Sequence, residues 1–355
     1  MRSLSKSLNP ESEDKKVARL CLVGLGNFGR VIHSKLIKLD SCELIYCYHP
    51  SIEKAKAFDE KTGTSDLDAI LNDSSLDGVV ITTPNDTHLA LTLKFLEAKK
   101  HVFVEKPLTS TYSDAVKLRE KLLKTGYGNQ ILMVGHNHRR NTAIRRVKKM
   151  LGETAIGDII NVNVNKSHGG IFSFKPSNWR AQRKRHKEGP LITAGVHYID
   201  TIHYLFGAVD SVYAVIGNIS RQTEAPDSNA VLMTLENGAT CFLQANYNQP
   251  SQDYFIITGT EGIIYVERGR LSLRIGRDVR EENRFIPSTP STIKTEKNDT
   301  FLEELQEFCQ AILGHKNVET GLNEGLNSMA VIEACNQSNQ TKKAVSMRNF
   351  NQYFK

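Results

Sequence analysis

The stretch VFVEKPLTST, residues 102–111, places two charged side chains directly after an apolar run. Residues 102–104 have the composition of a buried strand, and Glu105 and Lys106 follow it immediately. Pro107 then favours an extended backbone at Lys106. A lysine amine in this position can donate to an oxygen atom and stabilise negative charge on it during a reaction. The ordinary alternative is a surface lysine at the end of a strand, since lysine is rarely buried.

A glycine-rich turn near the N-terminus indicates a dinucleotide site. The run VARLCLVGLGNFGRVIHSKLIKL contains a strand pattern, a turn and an amphipathic helix pattern, with Gly24, Gly26 and Gly29 spaced as G-x-G-x-x-G. The first glycine permits a tight turn, the second lets the backbone approach a pyrophosphate, and the third packs the helix against the strand. The helix N-terminus offers free N–H groups to phosphates. The motif alone is weak, but its position between a strand and a helix strengthens it.

The position that usually recognises the cofactor ribose holds a histidine. An acid is expected about 20 residues after the third glycine, at the end of the second strand. This chain has His49 there, followed by Pro50 and Ser51, with Lys54 shortly after. No carboxylate at residue 49 would accept from a 2′-hydroxyl or repel a 2′-phosphate. NAD and NADP therefore both stay open, and a histidine that merely ends a strand is an equal alternative to a phosphate contact.

Strand and helix patterns alternate to about residue 138 and predict a parallel, doubly wound sheet. In such sheets, ligands bind at the carboxyl ends of the strands. Three polar groups follow predicted strands at that edge, namely Thr83-Pro84-Asn85, Glu105-Lys106-Pro107 and His136-Asn137. We therefore expect Lys106 to point toward the nicotinamide end of the cofactor.

Length and composition are those of a globular protein with two domains. The chain has 355 residues, 39% hydrophobic and 24% charged, with a formal net charge of +7. No apolar run reaches membrane-spanning length, and no signal-peptide pattern is present. The basic stretches lack the aromatic residues of nucleic-acid modules. The cysteines show no metal-ligand spacing, and Cys21 and Cys47 lie in strand patterns as reduced core residues. We expect a cytoplasmic protein without a metal, nucleic-acid or membrane partner.

Five segments, taken in order, are similar to one protein family: VGLGNFGR, ITTPNDTH, HVFVEKPLTST, MVGHNHRRNTAIRRVKKML and GVHYIDTIHYLFG. Together they resemble the Gfo/Idh/MocA oxidoreductases, which include glucose–fructose oxidoreductase, inositol dehydrogenases and nucleotide-sugar dehydrogenases. The match runs from about residue 17 to residue 345, and E-K-P after T-P-N-x-x-H is its most discriminating part. The resemblance implies an α/β protein, with an N-terminal Rossmann domain and a C-terminal α/β domain built on a large, open, mostly antiparallel sheet.

The predicted organisation has three parts. We expect a polar tail over residues 1–15, the dinucleotide-binding domain over residues 16–138, and a substrate and oligomerisation domain over residues 139–355. The later half agrees, because β-patterned runs with glycine turns precede two helical segments, TFLEELQEFCQAILG and LNEGLNSMAVIEACNQS. The segment PSTPSTIKTEKND before them is predicted to be a polar surface loop. The family's open sheet often forms subunit contacts, so the resemblance also implies a homo-oligomer.

The resemblance assigns roles to catalytic residues. In the family the lysine of E-K-P lies beside the reacting hydroxyl and the nicotinamide, which implies this role for Lys106 and a cis peptide bond to Pro107. The histidine of the family's D-x-x-x-H motif corresponds to His197, but Thr193 stands at the aspartate position. His197 can accept the alcohol proton while Lys106 lowers the pKa of that alcohol. Thr193 can bind a substrate hydroxyl but holds no charge, and Asp200 is a candidate partner for His197 or the substrate.

The cofactor and the substrate are each expected to contact a defined set of residues. The residues expected to bind NAD or NADP are Gly24, Gly26, Asn27, Phe28, Gly29, His49, Thr83, Pro84, Asn85, His88, Glu105 and Lys106. The basic stretch NWRAQRKRHKEGP, residues 178–190, precedes the histidine helix and should border the active-site mouth. Its cations favour an anionic, sugar-like substrate, with Arg180 as the assigned contact. A solvated run of surface charges is the alternative.

The sequence therefore predicts an NAD(P)-dependent oxidoreductase that transfers a hydride between nicotinamide and a secondary alcohol or ketone of a sugar, cyclitol or nucleotide sugar. Two alternatives stay open. One is a dinucleotide-binding regulator without catalysis, which the replacement of the aspartate by Thr193 keeps open. The other is a glycosidase of the same family that uses tightly held NAD in a redox-assisted elimination. Slow cofactor exchange would indicate the glycosidase, whereas turnover of external cofactor with a sugar would indicate the dehydrogenase.

Overall fold

Two large sheets organise the chain, and together they confirm the predicted α/β architecture. The computed structural model describes residues 17–126, 130–276, 279–281, 284–286 and 289–350. The tail predicted for residues 1–15 lies outside the described residues. Within the part of the chain that the structure describes, no helix has both the length and the apolar character required to cross a bilayer.

The first sheet is the predicted doubly wound sheet. Its six strands are all parallel, in the order β3-β2-β1-β4-β5-β6. In chain order, its strands and connecting helices are β1 Ala18–Val23, α1 Asn27–Leu36, β2 Cys42–Tyr48, α2 Ile52–Phe58, β3 Gly63–Thr64, α3 Leu67–Asn72, β4 Gly78–Ile81, α4 His88–Glu97, β5 His101–Glu105, α5 Tyr112–Thr125 and β6 Leu132–Gly135. Side chains of Ser51, Asp66 and Thr111 cap α2, α3 and α5. Each accepts from the N–H three residues later, which explains where these helices begin.

The second sheet has nine strands in the order β16-β13-β12-β11-β7-β10-β9-β8-β17. All its pairs are antiparallel except β7 with β10. The elements of this half are α6 Thr142–Gly152, β7 Ile159–Ser167, α7 Val196–Phe206, β8 Val209–Gly217, β9 Ser228–Leu235, β10 Thr240–Asn246, β11 Gln252–Gly259, β12 Gly262–Glu267, β13 Arg270–Ile275, β14 Val279–Glu281, β15 Arg284–Ile286, β16 Ser291–Ile293, α8 Thr300–Ile312, α9 Leu322–Thr341 and β17 Val345–Ser346. β14 and β15 form a separate hairpin. The prediction of a simple surface loop before α8 was wrong for β16, which pairs with β13.

One face of the nine-stranded sheet is buried and the other is open. Along β8, Val212 and Ala214 are buried while the intervening Tyr213 and Val215 are exposed. The same alternation continues on β9, where Leu232 is exposed between buried neighbours. Successive side chains of a strand point to opposite faces. Helix α9 packs against β8, so it covers the inner face at this edge.

The last two helices return to the first sheet. The ring of Phe308 on α8 lies 5.8 Å from that of Phe103 on β5, and Phe301 lies 5.5 Å from Phe28 on α1. Leu305 of α8 belongs to the same buried cluster. Helix α9 packs against both β6 and β8 and therefore contacts both sheets. The first sheet is thus completed by residues from the far end of the chain.

Candidate active site

The glycine turn between β1 and α1 has the shape required for a phosphate. Gly24 has φ of +103°, and a Cβ there would lie 2.8 Å from the Thr82 backbone. A Cβ on Gly29 would lie 2.0 Å from the Gly24 carbonyl oxygen, whereas a Cβ on Gly26 would meet nothing within 4 Å. The first turn of α1 holds no acidic residue, and no side chain among the described residues caps it. The three glycines therefore fit the expected roles, with open space where the pyrophosphate approaches.

The loop after β4 is tied to the loop after β5 by His88. This ring is fully buried, with Nδ1 2.8 Å from the Pro107 carbonyl oxygen and Nε2 3.0 Å from the Thr83 carbonyl oxygen. Burial lowers the pKa of His88, so the ring is neutral at neutral pH and donates to one carbonyl at a time. The expectation that His88 contacts the cofactor is corrected. It positions Thr83 and Pro107 instead.

The end of β2 carries a carboxylate that the sequence analysis did not place there. His49 Nδ1 accepts from the Ser51 N–H at 2.9 Å, and the Ser51 hydroxyl donates to Glu53 Oε2 at 2.7 Å. That bond lowers the pKa of Glu53. An acid therefore lies near the predicted ribose position, although residue 49 itself is a histidine. The S-x-E spacing of Ser51 and Glu53 was the sequence feature that could have indicated this acid.

Lys106 connects the two halves of the molecule. Its Nζ donates to the Thr193 carbonyl oxygen at 3.0 Å, and the peptide bond to Pro107 is cis, as the resemblance implied. The side chain keeps part of its surface accessible, and protein surrounds the rest. Burial lowers the pKa of Lys106, while Glu105 opposes this effect and Arg180 adds to it. The amine therefore lies at the predicted strand edge, within reach of the second domain.

His197 lies on the first turn of α7, close to Lys106. The ring is half-buried, and its Nδ1 is buried without a hydrogen-bond partner among the described residues. Burial, and next the charge of Lys106, lower the pKa of His197 well below its ordinary value. A neutral imidazole has one unprotonated nitrogen. His197 is therefore in the form required of a proton acceptor.

Thr193 belongs to a π-helical turn, Leu191–Gly195, that leads into α7. Its hydroxyl oxygen lies 2.5 Å from the Tyr247 hydroxyl and 3.3 Å from His186 Nε2. The His186 Nδ1 lies 3.0 Å from the Arg180 carbonyl oxygen and donates to it. Burial lowers the pKa of His186 to about 4, so its Nε2 is an acceptor. Sequence reasoning missed both Tyr247 and His186, which hold the Thr193 hydroxyl in place.

Asp200 is not a partner of His197. Both of its carboxylate oxygens accept from the Arg139 guanidinium, at 2.8 and 2.5 Å, and both side chains are buried. Burial raises the pKa of Asp200, but the nearby His136 and the bonds from Arg139 outweigh it and hold this pKa below its usual range. The prediction of a substrate or His197 contact was therefore wrong. Asp200 faces Arg139 because that guanidinium needs an anion when it is buried.

Glu105 is buried next to Lys106 and does not face the expected cofactor site. Its carboxylate is 5% exposed, and Oε2 accepts from the Lys106 N–H at 3.2 Å. Oε1 is buried without a partner among the described residues. Burial raises the pKa of Glu105 to about 7, against the opposing charge of Lys106. The expected direct cofactor contact is corrected to a position beneath the lysine.

The basic loop divides into a part at the site and a part at the surface. Arg180 stacks over Trp179, 4.4 Å from the ring centroid, and its charge acts on both Lys106 and Tyr247. Arg185 pairs with Asp86 at 3.3 Å across the interdomain cleft. The remaining loop cations, Arg183, Lys184 and Lys187, are exposed and line a cavity of about 600 Å³. Arg180 is the loop cation whose charge acts on Lys106, and its contact with the substrate stays a prediction.

Comparison with known families decides the affiliation. Residues 18–136 match the family model described as "Oxidoreductase family, NAD-binding Rossmann fold" of GFO_IDH_MocA. Residues 148–347 match the model of the same family's "C-terminal alpha/beta domain". The chain belongs to the Gfo/Idh/MocA oxidoreductase family. Its N-terminal domain is therefore an NAD(P)-binding Rossmann domain, and the predicted resemblance is confirmed.

Relatives in this family show what the chain is similar to. The scyllo-inositol 2-dehydrogenase (NADP(+)) IolW of Bacillus subtilis (strain 168) is 26% identical over 351 residues, 92% of this chain and 95% of the relative. The 2,7-anhydro-N-acetylneuraminate hydratase of Escherichia coli (strain K12) is 27% identical, covering 72% of this chain and 69% of the relative. The solved structure of levoglucosan dehydrogenase in complex with NADH has a TM-score of 0.80 and 22% identity, with 93% and 99% of the two chains covered. This last similarity shows a shared fold.

Proposed function

We propose that the protein transfers a hydride between nicotinamide and a secondary alcohol or ketone of a sugar or cyclitol. The supporting observation is the position of Lys106, whose Nζ lies 3.0 Å from the Thr193 carbonyl oxygen at the strand edge, beside His197. Alcohol oxidation needs a cation that lowers the pKa of the hydroxyl and a neutral base that accepts its proton, and both have to lie beside the substrate oxygen. Relatives named for scyllo-inositol and levoglucosan support this class of substrate.

Different residues of this chain would contact the cofactor and the substrate. The glycine turn and the N-terminus of α1 would hold the pyrophosphate, and the loop Thr83 to Asn85 would border the nicotinamide. A bound cofactor supplies the hydride acceptor. Lys106 donates to the substrate oxygen and lowers the pKa of its hydroxyl, and His197 accepts the hydroxyl proton. The Thr193 hydroxyl, held in place by the Tyr247 hydroxyl, would orient the sugar.

We propose an anionic or strongly polar substrate. Arg180 lies beside the catalytic pair, and the loop cations Lys184 and Lys187 line a second cavity of about 260 Å³ that also includes Pro84 and Trp179. Cations around a cleft attract anions and raise their local concentration. A carboxylate, phosphate or nucleotide group on the sugar would meet them.

A cofactor-reduction screen tests the proposed function. Sugars, cyclitols, sugar acids and nucleotide sugars are incubated with the protein and with NAD or NADP, and the absorbance of the reduced nicotinamide is followed. Turnover with at least one secondary alcohol is expected. Absence of turnover across the panel, with tight cofactor binding, would contradict catalysis and favour the regulator.

A second candidate is a redox-assisted elimination or hydration. The relative from E. coli is named a 2,7-anhydro-N-acetylneuraminate hydratase, and that compound is an anionic sugar, which agrees with Arg180 at the site. In that case the cofactor would stay bound and would not accumulate in reduced form. Product formation without external cofactor, detected by mass spectrometry, would favour this candidate over the dehydrogenase.

The location and assembly are also proposals. The six cysteines are free thiols, as expected in a reducing compartment, and we propose the cytoplasm.

The open face of the nine-stranded sheet carries an apolar row that crosses neighbouring strands in register. Its members are Tyr213, Leu232, Phe242, Ile256 and Tyr265, interrupted by Asn163. We propose that a second copy of the chain covers this row.

A further inference from the structure

A single amide interrupts the apolar row on the open face of the nine-stranded sheet. Asn163 lies on β7, which has four strands on either side and is therefore the central strand. Its neighbours across the sheet are Phe242 on β10 and Ile256 on β11. Leu232 and Tyr265 follow on the next strands outward. The row is therefore apolar for two strands on either side of one central polar side chain.

The side chain of Asn163 points to the open face and has hydrogen-bonding groups to spare. Val162 and Val164, on either side of it in the chain, are buried on the opposite face. Its Nδ2 donates to Asn161 Oδ1 at 2.6 Å, which is the one hydrogen bond that this side chain makes within the described residues. One N–H and the Oδ1 atom therefore have no partner there. Asn165 on the same strand differs, because both of its N–H groups and its oxygen are bonded within the subunit.

This arrangement is complementary to itself. In a two-fold dimer the same patch serves both subunits, so the patch has to fit its own copy. An axis that lies between two such faces and passes beside Asn163 places amide against amide. Whether that axis runs along β7 or along the row, apolar side chains on one copy then cover apolar side chains on the other.

The dimensions of the face fit such a contact. Packed sheets lie about 10 Å apart, a gap that two asparagine side chains can span when N–H···O bonds of about 2.9 Å join them end to end. The nine strands, at about 4.8 Å each, give the face a width of roughly 38 Å, and strands of about six residues give it a length of roughly 20 Å. The face therefore offers on the order of 800 Å² to a second copy, which is what each partner of a stable complex buries.

We propose that Asn163 lies on the two-fold axis of a homodimer and pairs with the same amide of the second copy. The Oδ1 atom of each side chain accepts from the free N–H of the other, so the two amides form a reciprocal pair. The inference rests on the proposed assembly, in which a second copy covers the apolar row. It adds where the axis passes and which residue determines that position.

The amide pair fixes how the two sheets align. If the sheets were displaced so that Asn163 met Phe242 or Ile256 of the second copy, each amide would be buried without its partner, which is costly. The apolar side chains alone impose no such alignment, because hydrophobic contact is non-directional. A single asparagine in the apolar seam of a coiled coil specifies register for the same reason. Asn163 therefore selects one arrangement among those that the apolar row would allow.

Opposite charges at residue 163 test the position of the axis. Masses are measured at neutral pH by light scattering coupled to size-exclusion chromatography. Asn163→Asp and Asn163→Lys should each raise the dissociation constant of the dimer by roughly 100-fold or more, because like charges then face each other. Mixing the two variants in equal amounts should restore the wild-type mass, since residue 163 meets its own copy. Thr234→Asp and Thr234→Lys, two strands away and two residues off the row on the same face, are the control pair. Mixing should leave their masses unchanged.

Each outcome decides the inference. Asn163 variants that keep the wild-type mass, or that stay dissociated after mixing, would overturn it. If circular dichroism shows that a charged variant does not fold, Asn163→Cys is treated with a short bifunctional thiol reagent instead. A cross-linked dimer that wild type and Thr234→Cys do not give is then expected, and its absence overturns the inference.

Failures of the separate proposals can be told apart. A monomeric wild type would contradict the proposed assembly, and the axis with it, and would leave the face to a different partner. An oligomeric wild type without rescue on mixing contradicts the axis alone. Turnover in the sugar screen tests hydride transfer and is independent of both results.

Discussion

At the scale of single residues, the proposed site consists of a partly exposed lysine, a neutral histidine and a hydroxyl network. Lys106 contacts the Thr193 carbonyl, and His197 lies close enough for its pKa to be lowered by that lysine. We expect Lys106→Ala and His197→Ala each to lower kcat by roughly 100- to 10,000-fold, because each removes a group that handles charge or a proton in the transition state. Cofactor affinity, measured by fluorescence titration, should change little. A His197→Ala variant as active as wild type would show that the base has been assigned wrongly.

Thr193 provides the comparison for these two residues. Its hydroxyl bonds to Tyr247 and His186, both of them neutral groups. We expect Thr193→Val, which keeps the side-chain shape, to lower kcat/KM by only about tenfold, since a neutral hydrogen bond contributes on the order of 1 kcal/mol. The measurement is steady-state kinetics with the best substrate from the screen. A loss as large as that of His197→Ala would mean that this hydroxyl takes part in the proton transfer.

Cofactor preference depends on the residues after β2. His49 and Ser51 place no carboxylate at the predicted ribose position, while Glu53, which accepts from the Ser51 hydroxyl, brings a carboxylate close to it. We expect weak discrimination or a preference for NADP. His49→Asp should shift the ratio of kcat/KM values toward NAD on the order of tenfold, because an aspartate accepts from the 2′-hydroxyl and repels the phosphate. Glu53→Gln should shift it toward NADP. A wild type that strongly prefers NAD would contradict the predicted preference.

At the scale of elements, a buried ion pair joins α7 to the turn before α6. Arg139 donates to both oxygens of Asp200, and both side chains are buried. We expect Asp200→Asn to lower the free energy of unfolding by about 3–5 kcal/mol, because it leaves a buried guanidinium unpaired. Denaturant unfolding measures the change. Asp158→Asn, at an exposed position before β7, is the control and should change stability by less than about 0.5 kcal/mol.

The sign of the pH effect follows from the Asp200 pKa. This pKa is below its usual range in the folded state. The stabilisation is therefore fully present above the unfolded pKa of roughly 3.9 and is lost as the pH falls through the folded value. In acid titrations, the stability difference between wild type and Asp200→Asn should shrink below about pH 4. A difference that does not change with acid would argue against the ion pair as its source.

Much of the fold could be predicted from the sequence because its local patterns agree with the tertiary structure. The G-x-G-x-x-G turn, the parallel strands and both late helices lie where the residues indicated. β3 and β16 were missed, since strands of two and three residues have no detectable alternation. Thr193 lies in a π-helical turn, which the spacing of side chains does not reveal.

The site was predicted less completely than the fold, because burial decides what a polar residue does. His88 and Asp200 have the residue types of ligand contacts, yet the structure places each in a buried structural bond. The burial of Glu304 on α8 had a signal that was overlooked. Glu304 lies three residues after Phe301 and four before Phe308, which places a carboxylate on the apolar face of α8. Tyr247, at the end of β10, had no comparable signal.

At the scale of the whole molecule, the open sheet face predicts an assembly. Tyr213 is 39% exposed and Leu232 is 48% exposed, and the two residues pair across β8 and β9. We expect wild type to form a homo-oligomer, and Leu232→Glu to shift it to monomers, because a buried unpaired carboxylate is costly. Light scattering coupled to size-exclusion chromatography measures the mass. Ile37→Glu, an exposed apolar position after α1, is the control and should leave the mass unchanged.

The return of α8 to the first sheet has a consequence for biosynthesis. Phe28, near the glycine turn, and Phe103 are covered by Phe301 and Phe308, which follow more than 200 residues later in the chain. While a ribosome is still making the second sheet, the nucleotide-binding half has an uncovered apolar layer. Its final packing has to wait until α8 has left the exit tunnel. The emerging chain therefore needs protection from aggregation over that interval, and a fragment cut at the apparent boundary between the two family domains would share the same exposed surface.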